Sequence, residues 1–317
     1  MGEPRATQPT GATQPTEVTR PPVLVVGLGG NALAGLRDTA GGASGVDHVD
    51  EAARALAGLL GSFRLVITHG NGPQVGRLAE EHPEAGLDEL DAATAGRLGY
   101  DLERALRRHA PHADVLATLT QVLVDPDDPA FARPTKPIGA RYDEATARDL
   151  AARHGWQVAA EPGGWRRVVA SPVPIGTLEL DPLRLLVDAG VTVICAGGGG
   201  IPVAYGADGA LHGVDAVIDK DLTTARLAVE LHADALLLLT DVAAVEHDFG
   251  RASAQPIRRL GGAEADALLP TLPPGSMGAK VRGALQFARA TGRPAGIGRL
   301  VDARAVLDGT AGTTIEG

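Results

Sequence analysis

Three uninterrupted apolar runs in this chain break directly into glycine-rich turns, and that pairing restricts the fold more than any other feature. The runs are Val23-Leu24-Val25-Val26-Gly27-Leu28, Leu65-Val66-Ile67-Thr68 and Val191-Thr192-Val193-Ile194-Cys195. The turns are Gly29-Gly30-Asn31-Ala32, His69-Gly70-Asn71-Gly72-Pro73 and Gly197-Gly198-Gly199-Gly200-Ile201-Pro202. A strand without polar alternation is covered on both faces, as in parallel sheets. Ligands of such sheets bind beyond the C-terminal strand ends. Glycine there lets backbone N–H groups approach an anion closely. Three such ends predict an anion cradle drawn from Gly29, Gly30, Asn31, Gly70, Asn71, Gly72, Gly198 and Gly199. Neither GxxxxGK[ST] nor a GxGxxG opening the first βαβ unit occurs, which disfavours P-loop and dinucleotide-binding folds.

The rest of the chain alternates strand and helix signals. Helical patterns cover Val49–Leu60, Ala92–Arg108, Asp219–Leu231 and Met277–Thr291; strands cover Val115–Val124 and Ala235–Leu239, and a short strand–helix pair closes the chain. This predicts an α/β fold with a mostly parallel sheet covered by helices on both faces. Residues 125–172 break the rhythm with six prolines and both tryptophans, and read as an inserted lid. Residues 1–22 hold a doubled Ala-Thr-Gln-Pro-Thr and almost no apolar side chains, and read as a disordered tail ahead of a domain over 23–317.

Charge and cysteine content narrow the function. A net charge of −10 argues against a general nucleic-acid or membrane-surface binder. No apolar run has the length of a membrane span, and the N-terminus lacks an apolar signal core, so a cytoplasmic location is expected. The single cysteine, Cys195, sits in an apolar strand and reads as core. The histidines show no zinc-like spacing, and no metal ligands are expected from the chain itself.

Only three of the 29 basic side chains are lysine: Lys136, Lys220 and Lys280. A position that keeps lysine among so many arginines needs a compact, mobile point charge rather than a planar fork. Asp219 reads as a helix cap, placing Lys220 at the first helical position, with Asp221 beside it. Ser276 reads as a second cap, placing Lys280 in another first turn. A cation there opposes the helix dipole at a cost of about 0.3–1 kcal/mol. Two such corners suit a polyphosphate better than they suit stability. Lys136 lies between Pro134 and Pro137, which exclude a helix and hold an extended stem at the lid's edge. The strand ending at Thr240-Asp241 is followed by Phe249, whose ring would suit either a nucleotide base or the core. The helix through Gly96-Arg97-Leu98-Gly99-Tyr100 would pack against the site or a second subunit.

Further motifs join these in a fixed order: Leu119-Thr120-Gln121-Val122, Pro134-Thr135-Lys136-Pro137-Ile138-Gly139, Gly164-Trp165-Arg166-Arg167-Val168-Val169, Ala216-Val217-Ile218-Asp219-Lys220-Asp221, and Pro274-Gly275-Ser276-Met277 with Lys280. With the glycine turns, this ordered set resembles the carbamate kinases of the amino-acid kinase family, from Val23 to the C-terminus. The resemblance implies a three-layer αβα sandwich with a protruding lid subdomain, usually paired as a homodimer. It implies reversible phosphoryl transfer between carbamoyl phosphate and ADP, giving ATP and carbamate, with Mg²⁺. By the same resemblance the early glycine turns and Lys136 surround carbamoyl phosphate, and Lys220 and Lys280 neutralise the transferring group with Asp221 orienting them. The C-terminal half holds the nucleotide, with Thr240, Asp241, Phe249 and Met277 as candidates beside Lys220 and Lys280.

Some residues depart from the family pattern. The long helix usually reads Gln-Gly and then Gly-Tyr-Trp; here it reads Ala95-Gly96 and Gly99-Tyr100-Asp101. An Asn-Tyr-Gly-Lys near the base pocket reads Asp248-Phe249-Gly250-Arg251, and 34–46 is rich in glycine and alanine. The alternatives are a related phosphotransferase acting on another small acid, or a non-catalytic anion- or nucleotide-binding protein on the same fold. Retention of all three lysines and Asp221 weighs against the latter.

Overall fold

The computed structural model describes residues 20–29, 45–161, 163–273 and 275–317. The tail up to residue 19, Gly30, Asn31 and most of the glycine- and alanine-rich 34–46 lie outside the described residues.

In chain order the first half forms β1 (Val23–Leu28), α1 (Gly45–Ala57), β2 (Arg64–His69), α2 (Gly72–Glu81), α3 (Leu87–His109), β3 (Val115–Ala117), β4 (Gln121–Val124) and α4 (Pro129–Ala132). Then come β5 (Lys136–Tyr142), α5 (Glu144–His154), β6 (Gln157–Glu161), β7 (Gly164–Val169), β8 (Pro174–Thr177), α6 (Leu180–Asp188), β9 (Thr192–Ile194), β10 (Ile201–Tyr205) and β11 (Leu211–Gly213). The remainder is α7 (Lys220–Glu230), β12 (Ala235–Thr240), β13 (Val245–His247), β14 (Gln255–Ile257), β15 (Arg259–Leu260), α8 (Gly262–Leu268), α9 (Met277–Thr291), β16 (Ala295–Arg299), α10 (Ala303–Leu307) and β17 (Thr313–Ile315).

Eight strands form the central sheet in the order β15-β17-β16-β12-β1-β2-β9-β3. Among the described residues of this sheet, only the β16–β17 pairing is antiparallel. The apolar runs work as their composition requires. Along β1, Val23 and Val25 enter one core while Leu24, Val26 and Leu28 enter the other. Leu236 and Leu238 of β12 likewise face away from Leu237 and Leu239. The first core is closed by α7 and α9 through Ala225, Leu227, Val281, Ala284 and Phe287. The second is closed by α1, α3 and α10 through Leu56, Leu102, Leu106 and Val306. The result is a three-layer αβα sandwich. Cys195 is buried in the first core, where burial pushes its thiol up to about 12. No described helix is long and apolar enough to cross a membrane.

Three expectations need correction. The strand expected over 115–124 is two strands in different sheets: β3 edges the central sheet, whereas β4 pairs with β8 and β10. Thr118-Leu119-Thr120 carries the chain across, held by Thr118 N donating to Ile194 O at 2.9 Å. A short apolar stretch gives no signal for such a change of sheet. The long helix begins at Leu87 rather than Ala92, with Asp88 and Glu89 in its first turn complementing the dipole. The chain ends in the antiparallel β17 rather than in a helix.

Within 125–172, β5, β7 and β6 form a separate three-stranded sheet. It is fastened to α2 where Gly76 meets Gly139: a Cβ on Gly76 would collide with the Gly139 backbone. Glu80 Oε1 also accepts from Ala140 N at 3.1 Å. Lys136, at the start of β5, is thereby aimed at the C-terminal strand ends. On the far face Trp156 stacks on His154 at 4.9 Å, and the Arg167 guanidinium lies 4.7 Å from the Trp156 ring centre.

Candidate active site

The adjacent parallel strands β12, β1, β2 and β9 all end on one side of the sheet. Their extensions stay in register: Gly29 N donates to Leu239 O at 2.9 Å and Gly70 N to Leu28 O at 3.1 Å. Gly29 and the second and third glycine turns therefore converge, although they are far apart in sequence. A cleft of about 280 Å³ opens there. Its walls include Gly29, Gly70, Asn71, Gly72 and Gly198 from the turns, Lys136 and Arg166 from the small sheet, and Lys220, Asp221 and Lys280 from α7 and α9. Gly199 stands one residue back, its carbonyl accepting from Thr223 Oγ1 at 2.7 Å.

The lysine expectations rest on local sequence, and the structure assembles them into one cluster. Lys220 Nζ donates to Asp221 Oδ1 at 2.5 Å, and Lys280 Nζ donates to Asp221 Oδ2 at 3.1 Å. One carboxylate thus bridges two ammonium groups on two helices. Lys220, Asp221 and Lys280 are 9%, 4% and 7% exposed. Burial opposes ionisation of Asp221, but the two lysines override it and hold the carboxyl well below the usual carboxylate range. Burial lowers the Lys220 pKa, with Asp221 opposing and Lys280 reinforcing the shift. The trio carries a net positive charge at the positive end of α7.

Asp219 occupies the expected cap position, its Oδ1 accepting from Asp221 N at 3.0 Å. Its Oδ2 accepts from Lys136 Nζ at 2.5 Å, which joins the small sheet to α7 across the cleft. Ser276 stands at the N-cap of α9, but its side chain makes no capping bond. The first turn of α9 is satisfied instead by Gly278 N donating to Pro273 O at 3.0 Å.

A smaller recess of about 60 Å³ adjoins the cleft and shares Thr240, Asp241, Ser276 and Lys280 with it. Met277, Leu272 and Phe249 line it as well. Phe249 is 59% exposed, so it is not core. Its ring stands at the mouth of an apolar slot beside the lysine cluster.

Sequence reasoning missed Arg166 as a site residue. Alternation along β7 sends Arg166 to the cleft and Arg167 to the opposite face. Arg166 Nη2 donates to Gly139 O at 2.8 Å, while its buried Nε has no protein partner. Burial lowers its pKa, with Glu161 opposing. The doubled arginine of the Gly164–Val169 motif was visible, but which of the two faces the cleft depends on strand placement.

Comparisons with known proteins agree with this geometry. The sequence profile of the amino acid kinase family matches residues 22–298. The chain is 44% identical to a carbamate kinase of Rhizobium meliloti over 92% of each chain. It is 42% identical to one of Haemophilus influenzae, over 92% of this chain and 96% of that protein. Carbamate kinase from Giardia lamblia bound to citric acid superposes with a TM-score of 0.84 at 36% identity, covering 93% of this chain and 98% of that one. The same enzyme bound to AMP-PNP gives 0.81 at 37% identity, with the same coverage. The chain belongs to the amino acid kinase family, among its carbamate kinases.

Proposed function

We propose that this protein transfers the phosphoryl group of carbamoyl phosphate to ADP, giving ATP and carbamate, and runs the reverse reaction as well. The observation that carries the reading is the buried Lys220–Asp221–Lys280 bridge between the glycine cradle and the recess at Phe249 and Met277. Carbamoyl phosphate takes the cradle of Gly29, Gly70, Asn71, Gly72 and Gly198, faced by Lys136 and Arg166. The adenine ring takes the recess. An oxygen of the ADP β-phosphate attacks phosphorus, and the bond from phosphorus to the carbamoyl oxygen breaks, releasing carbamate. Attacking and leaving oxygens are both anionic, so no general base is needed. Catalysis is positioning and charge neutralisation, and Lys220 and Lys280 supply the charge.

Mg²⁺ enters this reading on the nucleotide. Among the described residues no cluster of three or more acidic, histidine or cysteine side chains could cage an ion. A nucleotide-borne Mg²⁺ needs only one or two carboxylates and water. Asp241 lines the cleft where the strand β12 ends and is a carboxylate that would meet it. When bound, the ion would supply charge that neutralises the nucleotide phosphates.

We read 23–317 as one catalytic domain in which 125–172 is the lid bringing Lys136 and Arg166 over the substrate. Its nucleotide substrates fit the cytoplasm. Replacing Lys136 with alanine should raise KM for carbamoyl phosphate by about ten- to a hundredfold, the worth of one charge-assisted hydrogen bond, and leave KM for ADP unchanged. Steady-state kinetics with each substrate varied would show it; a defect confined to ADP would move Lys136 to the nucleotide side.

A homodimer belongs to the same reading. Tyr100, Leu116 and Leu119 are 57%, 40% and 53% exposed. They gather where the edge strand β3 meets α3, because Gly96 faces Leu119 and Gly99 faces Ala117. A second copy would cover this patch and the open edge. Leu119→Asp should halve the mass seen by light scattering, whereas an unchanged mass would place the interface elsewhere.

The test of the function is luciferase-coupled ATP formation from ADP, Mg²⁺ and carbamoyl phosphate. ATP production is expected. Its absence from folded, ADP-binding protein would overturn the reading. A different acid acceptor or a pure binding role is not favoured by the carbamate kinases that resemble this chain over nearly its whole length.

A further inference from the structure

Asp91 lies on α3 behind Asn71, is 1% exposed, and takes no part in the transfer step described above. It is held in a small polar network. Asn71 Nδ2 donates to Asp91 Oδ1 and, at 2.8 Å, to Thr94 Oγ1. The Thr94 hydroxyl spends its own proton within α3, on Leu90 O at 2.9 Å or Asp91 O at 3.0 Å, so towards Asn71 it is an acceptor. One turn of α3 thus presents two acceptors to one amide.

Two features say what this achieves. Asn71 occupies the N-cap position of α2, where an asparagine ordinarily turns its oxygen onto the N–H of the second or third helical residue. Here it makes no such bond. Gly72, whose N–H has no acceptor within the helix, lines the cleft at the positive end of α2. Gly198 supplies the second feature. Its φ is +74°, and a Cβ there would strike both Asp91 Oδ1 and Asn71 Nδ2, so the third glycine turn closes directly over the pair.

The charge state fits an anion site. Burial pushes the Asp91 carboxyl up to about 8, with the Asn71 bond opposing and the Asp88 charge adding to the rise. At neutral pH the acceptor behind the cradle is therefore mostly an uncharged acid, which fixes an amide without repelling a phosphate.

We propose that Asp91 is a positioning residue for the acyl-phosphate substrate: by holding the Asn71 amide against α3, it fixes the Asn71-Gly72 turn and so the Gly72 N–H that meets the substrate's oxygens. The proposal rests on the reading that the Gly70-Asn71-Gly72 turn carries carbamoyl phosphate. Without the acceptor, the Asn71 side chain loses its anchor on α3 and the turn that carries the Gly72 N–H loosens. Asp91 touches no reacting atom, so its loss acts on one substrate only.

The experiment compares Asp91→Ala, Asp91→Asn and Thr94→Val with wild type in the ATP-forming assay, each substrate varied in turn. Asp91→Ala should raise KM for carbamoyl phosphate about tenfold, the loss of one buried hydrogen bond, and leave KM for ADP within about twofold. Asp91→Asn keeps an acceptor oxygen and should restore the wild-type KM. Thr94→Val should shift the same KM in the same direction. An unchanged KM for carbamoyl phosphate in Asp91→Ala overturns the proposal. So does an Asp91→Asn protein as impaired as Asp91→Ala, because an acceptor would then be present without effect. Should Asp91→Ala fail to fold, Thr94→Val decides alone, an unchanged KM overturning the proposal. Wild-type protein that makes no ATP would instead overturn the functional reading.

Discussion

Replacing Lys220 with methionine should abolish ATP formation, lowering kcat on the order of 10³-fold or more, while the fold survives. The size follows from what the ammonium does. Charge spreads over the equatorial oxygens of the transferring phosphoryl group, and a preorganised cation in a water-poor site stabilises it far more than water would. Lys220 is 9% exposed and is held at 2.5 Å from Asp221, so it needs no reorganisation. Stability has little to lose. A cation at the first position of α7 opposes the helix dipole by about 0.3–1 kcal/mol. Burial has already lowered its pKa, so its charged form is strained by desolvation. Methionine fills similar volume, and Asp221 keeps Lys280 at 3.1 Å. The melting temperature should stay within a few degrees of wild type, roughly what 1 kcal/mol moves in a domain of this size. Single-turnover ATP formation and a thermal melt on the same preparation check both halves. A methionine variant with even a tenth of wild-type turnover would remove Lys220 from the transfer step.

The sequence made the layers legible because each parallel strand is apolar on both faces. β1 and β12 read as buried strands from their unbroken apolar runs, and their side chains do divide between two cores. The lysines read as site residues because arginine replaces lysine everywhere else in the chain. What stayed hidden depends on contacts between distant segments. The break between β3 and β4 is set by Ile194 and by the partner strands β8 and β10, which local pattern does not report. Asp221 shows in sequence as a neighbour of Lys220, yet its bond to Lys280 spans 59 residues. Asp91 resembles any acid on an amphipathic helix until α2 and the third glycine turn close over it. Arg166 and Arg167 differ only by strand parity.

Asp221→Asn should be the more damaging change for the fold. The carboxylate is the shared counter-charge of two buried ammonium groups. An asparagine offers one acceptor oxygen and no charge, so Lys220 and Lys280 would face each other uncompensated. Breaking a buried ion pair by removing one partner costs about 3–5 kcal/mol. In a domain of this length that is on the order of 5–15 °C in melting temperature. Turnover should fall with it, because the lysines lose the group that sets their positions. The acid dependence has a definite sign. Asp221 is held below its ordinary pKa in the folded state, so its contribution is complete above the unfolded value, near about pH 4. It fades as pH falls further and the carboxyl protonates. The gap in stability between wild type and Asp221→Asn should therefore be widest at neutral pH and should shrink on acidification below about pH 4. ATP supplies a second discriminating test. Its phosphates bring to the two lysines the negative charge that asparagine lacks, so saturating nucleotide should raise the melting temperature of the variant more than that of wild type, provided it still binds. Melting curves with and without ATP, at neutral and acid pH, would reveal both effects. A variant as stable as wild type at neutral pH would show that the two ammonium groups do not depend on Asp221 for their burial.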